Sequence, residues 1–255
     1  SDLASLKLKA ERKDDHYLVN GSKIWQTHAH FADHIFCLVR TSNEGRPQQG
    51  ISFLLIDMAS PGVTVDPIIT MGLDHEVNAV FFEDVKVPLE NLVGNEGDGW
   101  KCAKYLLEFE RGGGIASPRR QRDLDHLKQV VADIQANDPD FNSDGYFDKE
   151  IARIEIDIRA LEMTELRILA TLSAGGNPGP ESSIIKLSSV SIEQRTDQLA
   201  VEAIGYDGLP FKEEGVVPGY AETVVPTYLN SRAASIFGGS QEVQRNIIAK
   251  AVLGL

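Results

Sequence analysis

Cysteine is scarce in this chain of 255 residues: only Cys37 and Cys102 occur, so no disulfide framework holds it and a reducing compartment fits. Positive charge is in deficit too, with 25 Lys and Arg against 38 Asp and Glu and a formal net charge of −13. A nucleic-acid binder needs a basic footprint to displace counterions, so that class is excluded. The same sign disfavours docking on an anionic membrane surface. No apolar run approaches the ~20 residues of a spanning helix. The opening Ser1-Asp2-Leu3-Ala4-Ser5-Leu6-Lys7 has neither a signal-peptide nor an Arg-rich transit pattern. GxGxxG, Walker, GxSxG and HExxH motifs are all missing, which removes the usual motif-based assignments. What remains is an acidic protein expected in the cytoplasm, without nucleic-acid or membrane partners. Its hydrophobic share of 42% suffices for one large or two ordinary domains.

Residues 1 to about 90 read as strands. Tyr17-Leu18-Val19 and Lys23-Ile24-Trp25 flank Asn20-Gly21-Ser22, and Asn-Gly between strand-like runs predicts a hairpin. Further short β-branched and aromatic runs follow at 35–39, 51–56, 62–65 and 79–82. No helical stretches alternate with them, so a small antiparallel β-domain is expected rather than a parallel sheet. After the Gly-rich 94–99 segment the pattern changes. Ile151, Ile154, Ile158, Leu161 and Ile168 mark one stripe of a long helix, and 182–204 and 240–252 read as two more. Asn-Pro-Gly-Pro at 177–180 breaks two of these apart, and the polar stretch 136–147 reads as loop. The expected fold class is α+β multidomain: a β-domain over 1–94, then an antiparallel helix bundle over 95–255.

Three segments carry candidate chemistry. Glu108-Phe109-Glu110-Arg111 falls on the first predicted helix, just before Gly112-Gly113-Gly114. Glu110 facing an apolar cleft would have its pKa raised, as a general base near neutral pH requires; facing water, it is a solvated carboxylate beside Arg111. Ser240, after Gly238-Gly239, is a plausible N-cap whose helix offers free N–H groups to an anion such as phosphate, or simply an ordinary helix start. Trp25-Gln26-Thr27 presents an indole and a hydroxyl to a flat ligand, or a core Trp beside an exposed Thr. His28, His30 and His34 form an H-x-H-x3-H cluster without the complete ligand set of a metal site, so no metal is assigned.

Taken together and in order, these segments resemble the acyl-CoA dehydrogenase family over essentially the whole chain. Ser1-Asp2 is similar to the tail of the family's Gly-Ser-Asp segment, and Trp25-x-Thr27 to its flavin-contacting Trp-x-Thr. Val85-Lys86-Val87-Pro88-x-x-Asn91-Leu92-Val93-Gly94 resembles the passage between middle and C-terminal domains. Ile236-Phe237-Gly238-Gly239-Ser240-Gln241-Glu242-Val243-Gln244-Arg245 resembles the closing motif. Phe36-Cys37-Leu38-Val39-Arg40 and Asn246-Ile247-Ile248-Ala249-Lys250 look most like the bacterial pimeloyl-CoA and steroid-type branch, whose members act on dicarboxylic, side-chain or steroid-derived acyl-CoAs.

The resemblance implies an FAD-dependent oxidation of an acyl-CoA thioester to the trans-2-enoyl-CoA, in fatty acid or steroid catabolism, with electrons passed to an electron-transfer flavoprotein. It implies a tetramer, homomeric or heteromeric. Most members carry the base as Glu just before the closing Gly-Thr or Gly-Ser; here that position is Gly238. A minority place it on the helix after the middle domain, and that position falls on Glu110, followed by Arg111. The resemblance thus implies Glu110 as base, Arg111 and Gly238 as substrate contacts, and Ser1, Trp25, Thr27, Gly205, Ser240 and Glu242 as FAD contacts. Glu202 replaces the Gln of the family's Gln-x-x-Gly-Gly-x-Gly segment and Tyr206 one of its glycines. The Arg-x-x-Phe-Gly segment is not found. The family's N-terminal helical domain has no counterpart ahead of Ser1, so the chain is expected to be a fragment that binds FAD weakly and is inactive alone. Two alternatives stand beside this reading: a noncatalytic partner subunit of a hetero-oligomeric dehydrogenase, and an acyl-CoA oxidase.

Overall fold

The structure, a computed structural model, describes residues 2–112, 115–211 and 215–255, with backbone alone over 108–112. It divides into two compact units, Ser1–Phe109 and Glu110–Leu255.

The first unit is built on six strands: β1 (Lys9–Arg12), β2 (His16–Thr27), β3 (His34–Arg40), β4 (Ile51–Asp57), β5 (Val63–Ile69) and β6 (His75–Pro88). They form one sheet in the order β4-β3-β1-β2-β6-β5. Every neighbouring pair is antiparallel except β1 and β3, which meet in parallel at Lys9 and Arg40. That exception follows from the chain path: β2 turns back along one edge of β1, and β3 turns back again onto the other edge. Period-two alternation buries Tyr17 and Val19 of β2, Cys37 and Val39 of β3, Leu54 and Ile56 of β4, and Val80 and Phe82 of β6 in one apolar core.

The hairpin expected at Asn20-Gly21-Ser22 does not form. β2 runs straight through these residues and pairs with β6 on both sides of an irregularity between Val19 and Gly21. Asn20 instead locks a bulge: its Nδ2 donates to Asp84 Oδ1 at 3.0 Å, and its Oδ1 accepts from the Asp84 N–H at 2.9 Å. Glycine at 21 serves close approach, since a Cβ there would stand 3.2 Å from Leu8 Cα at φ +132°. The true hairpin joins β1 to β2, where the Lys13 N–H donates to the His16 carbonyl at 2.8 Å.

Six α-helices follow among the described residues: α1 (Gly99–Gly112), α2 (Ser117–Asn137), α3 (Tyr146–Ser173), α4 (Ser182–Ile204), α5 (Val224–Ser231) and α6 (Gln241–Ala251). α1 starts where Asp98 accepts the Cys102 N–H on its carbonyl at 3.0 Å and the Asn95 N–H and Nδ2 on its carboxylate. Those Asn95 bonds hold the Asp98 carboxyl below the usual carboxylate range. Gly99 lets this start lie directly on β4, because a Cβ would stand 2.6 Å from the Ser52 carbonyl carbon.

In the second unit α4 is central and packs against α2, α3, α5 and α6. Leu124, Leu127 and Val131 of α2 meet Ile154, Ile158 and Leu161 of α3 and Ile192 and Leu199 of α4. A smaller cluster joins Val130 and Ile204 to Ala221 and Val224. α2 begins against a carboxylate from another helix. Glu165 of α3, 3% exposed, accepts from the Ala116 N–H at 2.7 Å, the Ser117 N–H at 3.2 Å and Ser117 Oγ at 2.5 Å. No helix among the described residues is long and apolar enough to cross a membrane.

Candidate functional site

At the far end of β2 the pairing with β6 slips between Lys23 and Gln26, so that Ile24 and Trp25 stand opposite Ala79 alone. Trp25 adopts φ +66°, rare for a residue with a side chain, and the residue is 62% exposed. Gln26 resumes the ladder opposite Asn78, and Thr27, also exposed, follows opposite Val77. Of the two readings for this segment, the indole facing outward is the one realised. A large aromatic held in a strained, exposed conformation is suited to stacking on a flat ring system.

The second unit carries the closing segment. Ser240 is the N-cap of α6, its Oγ accepting from the Val243 N–H at 3.4 Å. Glu242 sits in the first turn, where its own backbone N–H and the Ser240 hydroxyl hold its carboxyl below the usual range. The helix start is thus already matched by one negative charge. Gly238 adopts φ +65° beside Gly239 at +90°. Lys186 of α4, which sequence reading missed, reaches this pair. Its Nζ donates to the Ala234 carbonyl at 2.9 Å, lies 5.0 Å from the Phe237 ring centroid, and stands 3.5 Å from where a Gly238 Cβ would be. Burial pulls the Lys186 ammonium below the usual lysine range. The signal in the sequence was a single Lys inside the apolar run Ile184-Ile185-Lys186-Leu187.

Gly205 caps α4 with its N–H committed to the Val201 carbonyl, and nothing lies within 4 Å of the place a Cβ would take. Glu202, one turn earlier, is engaged on both oxygens. Tyr146 Oη donates to Oε2 at 2.8 Å, while Gln198 Nε2 at 2.8 Å and Arg195 Nη1 at 3.4 Å donate to Oε1. Arg195 also donates to Glu150 at 2.6 Å. A phosphate arriving here meets two carboxylates and an arginine they already hold. Ser1 and the side chains of Glu110 and Arg111 lie outside the described residues; the backbone at 110 and 111 is helical, within α1.

Comparison with known proteins decides between the fold's possible uses. Residues 97–253 match the model of the acyl-CoA dehydrogenase C-terminal domain, and residues 1–85 that of the acyl-CoA dehydrogenase middle domain. The chain belongs to the acyl-CoA dehydrogenase family. Acyl-CoA dehydrogenase IpdE1 of Mycobacterium tuberculosis is 34% identical over 259 residues, covering 100% of this chain and 64% of that protein. The chain therefore spans under two thirds of this relative's length. The solved Tcur3481-Tcur3483 steroid ACAD superposes with a TM-score of 0.87 at 25% identity, over 100% of this chain and 65% of that one. The ChsE4-ChsE5 complex from Mycobacterium tuberculosis does so at 0.82 and 25%, with the same coverage. Within this family of oxidoreductases, the likeness is to the steroid and IpdE-type branch.

Proposed function

We propose that the protein of which this chain is the middle and C-terminal part is an FAD-dependent dehydrogenase of acyl-CoA thioesters, forming the trans-2-enoyl-CoA. The observation that carries this is the exposed indole of Trp25, strained at a bulge beside Thr27, in a chain of this family. That pair fits a flavin: the indole offers an apolar face and Thr27 a hydroxyl for a ring edge. Ser240, Glu242, the bare backbone of Gly205 and Ser1 are the further contacts proposed for FAD. The 202–205 segment fits its pyrophosphate poorly, because Glu202 is ionically engaged and the Gly205 N–H is spent. When bound, the flavin supplies the acceptor for the substrate's β-hydrogen.

The chain's own residues supply the rest. Glu110 takes the α-proton, its carboxylate becoming the acid, and Arg111 orients the thioester. The Gly238 N–H, with the Lys186 ammonium beside it, stabilises the enolate-like charge that develops on the thioester oxygen. An electron-transfer flavoprotein is the proposed external acceptor, within a tetramer. Glu110→Gln should keep FAD and lower turnover about a thousandfold; a variant that keeps FAD and turns over normally ends the assignment. An anaerobic visible spectrum of natively purified protein, taken with a panel of acyl-CoAs, names the substrate class by which one bleaches the flavin band.

The engaged Glu202 carboxylate favours a second reading, a flavin-free partner subunit in a hetero-oligomer. Flavin content after purification with FAD supplied separates the two.

A further inference from the structure

Asn78 is the one residue of β6 whose side chain is polar and wholly buried, at 0% exposure, in line with the core residues Val80 and Phe82. An amide at a core position costs stability unless every group is bonded, so its partners show what it is for. Its Nδ2 donates to the backbone carbonyl of Gln26 at 2.9 Å and lies 3.0 Å from His30 Nδ1; its Oδ1 lies 2.7 Å from His75 Nε2. The Gln26 carbonyl can only accept, which fixes the amide's orientation. Oδ1 must then face His75, whose Nε2 is the donor, and His30 Nδ1 accepts. The two imidazoles stack at 3.9 Å and 22°, and Phe31 packs 3.9 Å from His30 on centroids.

Gln26 is the residue immediately after Trp25, and Gln26 and Asn78 are the first cross-strand pair past the bulge. The amide therefore ties down the backbone where the extra residue is absorbed. We propose that Asn78, oriented by His75 and His30, is the positioning residue that holds the Trp25–Thr27 bulge in the conformation presenting the indole to the flavin. Asn78 does not itself touch the ligand. A plain aliphatic residue would fill the same core site but leave the Gln26 carbonyl without this donor and the strained φ of Trp25 without its anchor.

This inference rests on the reading of Trp25 as a flavin contact, and its test keeps the two apart. In a Trp100→Phe variant of this 255-residue chain Trp25 is the sole tryptophan, so its emission and quenching by acrylamide report the bulge without any flavin. Asn78→Ala should change both, and should weaken FAD binding, followed by equilibrium dialysis of the natively purified protein, about tenfold. Val80→Ala, two residues along the same core face, should lower the unfolding midpoint while leaving Trp25 emission and FAD affinity as they were. His75→Phe keeps the ring stack and removes the donor to Oδ1; because His75 is exposed it should fold, and should weaken FAD about threefold with a smaller change in emission. Unchanged Trp25 emission in both Asn78→Ala and His75→Phe, or changes no larger than those of Val80→Ala, overturns the proposal. If instead Trp25→Ala leaves FAD affinity intact, it is the flavin reading that fails, whatever the emission shows.

Discussion

The two units bury polar groups in different ways. Ten polar or charged residues are buried among the described ones, and eight of them lie in the helical unit. Among its described residues the sheet unit buries only Ser52 and Asn78 of these, each bonded to a neighbouring backbone group. The helical unit buries Glu165 and Arg120, the latter 2.9 Å from Glu193, and divides its apolar residues between two clusters. Packing alone can hold a sheet whose two-residue period delivers a continuous face. Helices presenting narrow stripes need directional contacts to set their ends.

The contrast can be broken most forcefully at Glu165. Glu165→Leu leaves the half-buried Ala116 N–H and the buried Ser117 N–H without acceptors and should cost the helical unit about 3 kcal/mol in urea denaturation. Cys37 reports the other unit. It is buried in the sheet core, burial pushes its thiol up to about 11, and it should react with an alkylating reagent only when the sheet opens. If the units are held independently, Glu165→Leu leaves Cys37 labelling unchanged; faster labelling would show that they share one cooperative transition. Val19→Ala is the reciprocal change. It should cost about 2 kcal/mol by cavity formation, speed Cys37 labelling, and show no dependence on pH.

The smallest effect sharpens the electrostatic side. Burial, with Glu193 nearby, pushes the Asp197 carboxyl above the usual range against the opposing Ser231 hydrogen bond and Arg232 charge. A folded-state pKa above the unfolded one favours folding below the ordinary carboxylate range, and that contribution is lost as pH rises through the folded pKa. Asp197→Asn should therefore raise the thermal midpoint at pH 7 by about 2 °C, a gain that shrinks on acidification. A gain that persists into acid would place its origin elsewhere than in the charge.

Much of this was legible in residue order. The stripe from Ile151 to Ile168 lies on α3, and α4 spans Ser182–Ile204 as its pattern predicts. The Asn20-Gly21 pair misled because turn chemistry also serves bulges: the same Asn side chain that would close a hairpin bonds Asp84 across a bulge in a strand that runs on. α2 escaped notice because Leu124, Leu127, Val130 and Val131 are scattered among charges, and because hydropathy scores Arg120 and Glu165 as surface when they are core. The Trp-x-Thr motif pointed at Trp25. Its bulge did not show, since the anchor, Asn78, is separated from it by more than fifty positions and reads in isolation as a poor strand residue.

The carboxylate that starts α2 also bears on the order in which the chain folds. Glu165 lies 49 residues from Ala116, so although the first turn of α2 closes locally, the Arg120 N–H donating to the Ala116 carbonyl at 3.0 Å, its free N–H groups gain this carboxylate only when α3 arrives. That capping is tied to closure of a long loop, which makes the Ala116 and Ser117 amides reporters of the assembled unit rather than of the helix alone.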